Sequence, residues 1–303
     1  MTDAIRGAVS LCTALAILLT LAGYFGHAHP AFDTLGALRI QFAVAFVGVL
    51  LFSVAFAALT ARMLALTGLM IAGAGIAPAA LPAERVTSAD LSVYSQNLRY
   101  DNGSPEAVLS AIEASDADVL VLQEVSEGNM RVIDRLRRRY PASIVCDFTG
   151  VGGVAILSRI PDTGPTGCAE GGGAAWLRVV TASGPLTVVG LHLYWPWPYG
   201  QAAHVDRLAP ALSALAEPVL IAGDFNAPPW THSVDRIEAA TGTRVVGGLR
   251  LTYRRSEIWP GLPLDHVLVS EDIAAETRQL GTSGSDHAAL LSRVAFRVRA
   301  AVR

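Results

Sequence analysis

Apolar residues are distributed along this chain in two regimes. In the first, residues 7–24, 40–60 and 63–81 form three runs that contain no charge. Each run of about 18 to 21 residues can cross a hydrocarbon core of roughly 30 Å as a helix. A cleaved signal peptide accounts for the first run but not for the next two. No polar face interrupts them, so three transmembrane helices are predicted, with two spans and an interfacial helix as the alternative. In the second regime, from residue 91 on, short apolar runs alternate with helical patterns. Strands are expected at 91–98, 118–123, 143–146, 154–158, 175–181, 186–193, 218–222, 265–269 and 288–298. Helices are expected at 105–115 (Ser104 as cap, Pro105 first), 127–140, 202–215 and 231–240. Strands outnumber helices and the connections are mixed, which suggests two packed sheets flanked by helices.

Composition sharpens the boundary. Hydrophobic residues make up 52% of the 303 and charged ones 16%, against roughly 25% charged in an ordinary soluble domain. Up to Pro82 the only charged residues are Asp3, Arg6, Asp33, Arg39 and Arg62. The division is therefore a membrane domain at 1–82, a linker at 83–90 and a soluble domain at 91–303. From Arg85 onward 20 arginines face 23 acids, a net charge of −3, and this lack of basic excess counts against a nucleic-acid substrate.

Three spans put the N-terminus and the large domain on opposite sides. If Arg6 and Arg62 are cytoplasmic, the domain is extracytoplasmic at the cell (inner) membrane; Arg39 and Arg85 pull the other way. Cys146 and Cys168 are the only thiols of the large domain. A disulfide between them, suited to an oxidising compartment, and two unpaired buried thiols both fit the sequence.

Candidate chemistry lies where core strands meet loops, the usual place for a site on a rigid scaffold. Asn97 ends the first strand, Glu124 follows the second and His192 ends a later one. Asp224 and Asn226 follow the 218–222 strand, Asp265 opens another, and Asp286 and His287 precede the last. Carboxylates suit a hard cation such as Mg²⁺ or Mn²⁺. Histidine and asparagine can donate to phosphate oxygens, and a free aspartate can take a proton from water.

The ordered set QN, LQEV, GVAILSR, GLHL, GDFNAPP, LDHVLVS and SDHAAL resembles the endonuclease/exonuclease/phosphatase superfamily over essentially 91–298. The resemblance implies a four-layer α/β sandwich after the three transmembrane helices. It implies Glu124 as principal metal ligand, with Asn97 supporting metal or phosphate and Asp286 near the metal. By the same likeness His287, oriented by Asp265, and His192 contact phosphate. Asp224 activates the attacking water, and Asn226 holds phosphate or Asp224. One departure is Arg99, where nuclease members often carry an acid.

Substrate class is read from context. The layout is similar to that of membrane-anchored, VanJ-like members, which implies a lipid-linked phosphate or pyrophosphate. The aromatic loop 194–200 (YWPWPYG) beside His192 suits an acyl or prenyl chain or the bilayer itself, and equally suits packing onto the core; Trp230 and Trp259 are further candidates for its rim. A sphingomyelinase-like phosphodiesterase is an alternative. So is a surface nuclease, its best feature being Arg131, Arg135, Arg137, Arg138 and Arg139. A non-catalytic tethered binding module is the reading from another class. A transporter is disfavoured, because the spans carry no charge to form a polar path.

Overall fold

The computed structural model describes residues 3–56, 58–149, 151–255 and 260–297. Four helices come first: α1 (Asp3–Ala22), α2 (Pro30–Ala37), α3 (Arg39–Ala55) and α4 (Leu59–Ala80). α1 and α4 are long and apolar enough to span a membrane, and α2 with α3, bent by 53°, is a third candidate. The packing is inverted relative to a soluble bundle. Leu11, Leu18, Leu51 and Met70 face outward, whereas Ala61, Ala65 and Ala72 are buried and Gly68 lies against Phe46. Small residues inside and large apolar ones outside suit helices solvated by lipid. The 40–60 run is broken near Phe56, and α2, an elbow the hydropathy pattern did not separate, precedes α3.

Twelve strands follow among the described residues. Six form a sheet ordered β11 (Ile273–Gln279), β12 (Leu290–Phe296), β1 (Leu91–Asn97), β2 (Val119–Val125), β4 (Gly152–Ser158) and β3 (Ala142–Thr149). Six form a second, ordered β5 (Gly167–Cys168), β6 (Ala174–Thr181), β7 (Gly184–His192), β8 (Val219–Asp224), β10 (Asp265–Ser270) and β9 (Thr243–Val245). Helices α5 (Pro105–Ser115) and α6 (Met130–Leu136) cover the first sheet; α7 (Gln201–Ser213) and α8 (His232–Thr241) cover the second. The period-two pattern builds the layers. Val119 and Val121 of β2 point between the sheets, with Val188 and Leu220, while Leu120 and Leu122 point under α5 and α6. Val219 and Ile221 of β8 point under α7 and α8. The fold is the expected four-layer α/β sandwich. The short strands β5 and β9 and the polar strand β11 were not anticipated, and the helix expected at 127–140 is confined to Met130–Leu136.

The sheets share one plan that positions the site. In each, a parallel pair (β1 with β2, β7 with β8) is flanked by antiparallel neighbours. The C-terminal ends of all four central strands therefore meet the starts of β10 and β12 at one edge. A disulfide joins Cys146 of β3 to Cys168 of β5, linking the edge strands of the two sheets.

The segment between α4 and β1 is laid onto the domain. Val86 is buried, Arg293 donates to its carbonyl at 2.7 Å, and the Asp90 amide bonds Val294 O at 2.8 Å. The elbow α2 is also docked on the domain. The Asp33 carboxylate accepts from the His232 amide (2.7 Å), the Ser233 amide (3.0 Å) and Ser233 Oγ (2.7 Å). Trp230 Nε1 donates to Gly36 O at 2.8 Å. Asp33 thus caps α8 from some 200 residues away, where Thr231 at the cap position spends its hydroxyl on Pro228 O and makes no capping bond of its own.

Candidate active site

Local backbone chemistry aims the side chains. A β-bulge between Gln123 and Val125 leaves Glu124 at φ +54°, which turns it out of the strand alternation. Asn226 at φ +48° uses the tolerance of asparagine for the left-handed region. Gly223, at φ +151°, allows β8 to approach β7 just before Asp224.

The expected residues converge. Asn97 Nδ2 lies 3.0 Å from both Glu124 Oε1 and Asp224 Oδ2 and joins the two sheets. Glu124 Oε2 accepts from the Tyr100 amide at 2.8 Å. His192 Nε2 stands 3.8 Å from Asp224 Oδ2 and 4.0 Å from Glu124 Oε1. His287 Nδ1 donates to Asp265 Oδ2 at 2.8 Å, and its Nε2 lies 3.7 Å from Asp224 Oδ2. Asp224 Oδ1 accepts from the Asn226 amide at 2.8 Å, while Asn226 Nδ2 donates to Leu193 O. Asp286 lines the same cleft, of about 620 Å³, with Glu124, Asp224 and His287.

Three arginines stand at the cleft: Arg99, paired with Asp101 at 2.6 Å, Arg254 and Arg255. Trp195 and Tyr253 also line it, their rings 5.6 Å apart, with Tyr253 4.9 Å from the His287 ring. Tyr253 lies in a stretch without motif and was not foreseen. Neither were Asn129, which ties Arg99 O to Glu124 O, and Gln201, which bonds the carbonyls of Tyr194, Phe225 and Asn226. His204 was also missed: it accepts from the Tyr194 amide through Nδ1, so its Nε2 carries the proton that Gly172 O receives. Trp230 is in the α2 joint, and Trp259 lies outside the described residues.

Burial and charge set the protonation states. Burial pushes Glu124 and Asp224 above the usual carboxylate range, and it lowers His192 to about 4, so His192 is neutral at physiological pH. For His287 burial disfavours charge, but Asp265 and Asp224 outweigh it and raise the imidazole to about 10. His287 is therefore a cation whose Nε2–H is available as a donor. Its folded value exceeds an unfolded one near ~6.5. Its contribution to stability is fully present below that pH and is lost as pH rises through about 10. Activity should fall along the same alkaline limb. In a pH profile of kcat/KM, His287→Asn should lower the plateau and abolish that limb; an unchanged limb would assign it to another group.

Four carboxylates (Glu124, Asp224, Asp265, Asp286) oppose one imidazolium at the cleft floor, a charge balance and oxygen-rich donor set that fit a divalent cation. Asp224, Asp265 and His287 place one ligand atom each within 4.8 Å of the others, a group that could hold a metal only with the ligating nitrogen of His287 unprotonated.

Two sheets in a four-layer sandwich, with an Asn–Glu–Asp–His cluster at one edge, define a phosphoester-hydrolase architecture. The sequence model of the endonuclease/exonuclease/phosphatase family matches residues 94–287, and the chain belongs to that family. Its members are phosphoester hydrolases, generally metal-dependent. Comparison with curated protein sequences returns no match. Among solved structures, an endonuclease/exonuclease/phosphatase from Beutenbergia cavernae is 16% identical with a TM-score of 0.53, covering 68% of this chain and 72% of that one. A double mutant of beta toxin from Staphylococcus aureus with bound magnesium ions is 14% identical, with a TM-score of 0.52 and coverage of 69% and 100%. The human nocturnin catalytic domain with bound sulfate is 17% identical, with a TM-score of 0.53 and coverage of 71% and 97%. These likenesses establish the fold.

Proposed function

We propose that this protein is a membrane-anchored, divalent-metal-dependent phosphoesterase. On this reading it hydrolyses a lipid-linked phosphate or pyrophosphate ester at the outer face of the cell membrane. The observation that carries the reaction class is the hydrogen-bonded set Asn97–Glu124–Asp224 with His192 and the His287–Asp265 pair. Glu124, supported by Asn97 and Asp286, would hold Mg²⁺ or Mn²⁺, which would supply positive charge against the negative charge developing on the phosphoryl oxygens. His287 donates from Nε2 to a phosphoryl oxygen, its imidazolium stabilised by Asp265. Asp224 takes the proton of the attacking water as the new O–P bond forms and the O–P bond to the leaving group breaks, in a pyrophosphate the anhydride bond, whose bonding pair stays on the departing lipid phosphate. The Asn226 amide holds the Asp224 carboxylate in place, and the unpartnered Asn226 Oδ1 faces no donor among the described residues.

Residues 1–82 are read as the membrane domain, 83–90 as its connection and 91–303 as the catalytic domain. The helix ends support the outward orientation. Arg6 bonds Phe56 O and Arg62 bonds Ser53 O at the end remote from the catalytic domain, whereas Arg39 is buried at the near end. Two exposed-end arginines on the remote side favour a cytoplasmic N-terminus, and the Cys146–Cys168 disulfide suits an oxidising compartment.

Two features favour an anionic lipid substrate. Arg99, Arg254 and Arg255 at the cleft suit a second phosphate and repel a cationic choline. Three of the five arginines in and just after α6 that supported a nuclease are engaged with acids: Arg135 with Glu106, Arg137 with Asp134 and Arg139 with Asp116. The deciding assay measures hydrolysis of undecaprenyl pyrophosphate and phosphatidylinositol phosphates (as inorganic phosphate), sphingomyelin (as phosphocholine) and duplex DNA (as strand cleavage), with and without Mg²⁺. The prenyl pyrophosphate is expected to be preferred, and Arg254→Ala should raise its KM about tenfold or more while leaving a singly charged diester unaffected. DNA as the best substrate would overturn the lipid reading.

A further inference from the structure

The 194–200 loop presents three large rings to the outside: Trp195 at 42%, Trp197 at 50% and Tyr199 at 72% exposure. Three such rings within five residues are an unusual apolar load for a water-facing loop. Tyr194, in contrast, is held inward against Phe148 and His204. The rings therefore do not pack the loop onto the core; the core contact is made by the preceding residue.

What covers them is indicated by continuity with the membrane helices. Thr34 Oγ1 on α2 donates to Trp197 O at 3.1 Å. The neighbouring cleft-lining segment is attached as well: Gln41 Nε2 on α3 lies 3.4 Å from Pro260 O, and Leu262 pairs with Tyr253 through both backbone bonds. α2 lies between the end of α1 and the start of α3, so both attachments are at the level where those helices leave the hydrocarbon. Tyr24, Phe25 and Phe32 expose their rings from this same level, and Trp and Tyr partition to the membrane–water interface. The placement is fixed rather than tethered. Asp33 caps α8, Trp230 bonds Gly36 O, and Arg39 bonds Gly23 O and Gly75 O beside the Trp230 ring.

We infer that the 194–200 loop is a bilayer-docking surface held at headgroup depth by the joint between α2 and α8. The cleft bordered by Trp195 then receives its phosphate from lipid lying in the membrane, without extraction of the chain. This second part rests on the phosphoesterase reading; the first does not.

The test uses the full chain, with Cys12→Ala, reconstituted in phosphatidylethanolamine/phosphatidylglycerol vesicles. Nitroxide labels are placed at Trp197→Cys, Tyr199→Cys and, as control, Arg138→Cys on the opposite helical layer. Labels at 197 and 199 should be relaxed more by oxygen than by a water-soluble nickel chelate, and the label at 138 the reverse. Equal chelate access at 199 and 138 would overturn the docking surface. In the second arm, Asp33→Ala should lower kcat/KM on vesicle-embedded lipid pyrophosphate by about tenfold or more, with hydrolysis of soluble bis(p-nitrophenyl) phosphate unchanged. An equal loss on both substrates, or on neither, would overturn delivery from the bilayer. If wild type cleaves no phosphoester, the phosphoesterase reading and delivery with it fall, while the label depths still decide the docking surface.

Discussion

Asp224→Asn should reduce kcat by about 10²–10⁴-fold at every Mg²⁺ concentration, whereas Glu124→Gln should lose activity that excess metal partly restores. The two carboxylates share the Asn97 amide, which donates to both at 3.0 Å, so either change perturbs the same network. Their surroundings differ. Asp224 is enclosed, with the Asn226 amide, Asn97, His192 and His287 around it, and no second carboxylate in that shell is held by the Asn226 amide in its place. Glu124 retains partial access to the cleft and has one oxygen on the Tyr100 amide. A neutral amide there weakens cation binding more than it alters the attacking geometry. Metal titrations of kcat for the two variants separate the roles. Equal rescue of both by Mg²⁺ would show Asp224 to be a ligand. No loss in purified Glu124→Gln would remove the metal site proposed at that residue.

How far these roles were legible in the sequence depends on what each residue needs from its neighbours. Asn97, Glu124, His192 and Asp224 end apolar strands, so hydrophobic patterning alone puts them at strand–loop junctions. That they occupy one edge follows from the two parallel pairs at the sheet centres, which bring four C-terminal ends together. The pairing of His287 with Asp265 is a long-range contact that the family likeness implied and spacing alone did not. Tyr253, Gln201 and His204 were invisible because each acts through tertiary placement: an unpatterned loop, a helix start and a mid-helix position. The elbow α2 was hidden for another reason. His29, Pro30 and Asp33 interrupt a region otherwise read by hydropathy alone, and a lone aspartate there reads as a loop charge until α8 is seen to lack its own cap. Likewise the two cysteines left disulfide and free thiols equally open, since only strand order makes β3 and β5 neighbouring edges.

The largest stability effect is expected where the motif most constrains the backbone. Gly223→Ala should cost about 3 kcal/mol or more, a fall in Tm of roughly 6–12 °C for a domain of this size, and should lower kcat in the fraction that still folds. A Cβ at position 223 would lie 2.0 Å from Leu191 O, with φ at +151°. The obstacle is backbone, so no rotamer change relieves it, and β8 has to move away from β7. That displacement falls at the Leu191–Gly223 rung, immediately before the rung that sets His192 opposite Asp224. A misplacement of about 1 Å there is enough to reduce turnover by roughly 10²-fold. Gly190→Ala supplies the contrast. Its Cβ would meet side chains of Val154 and Val121 in the layer between the sheets, so it overpacks the core by about 1–3 kcal/mol without shifting the site. Thermal melts and kcat measured on both variants distinguish a strained catalytic edge from a crowded core: Gly223→Ala loses both quantities, Gly190→Ala stability alone. A Gly223→Ala protein with unaltered Tm and turnover would mean that the close approach of β7 and β8 is not what holds Asp224 against His192.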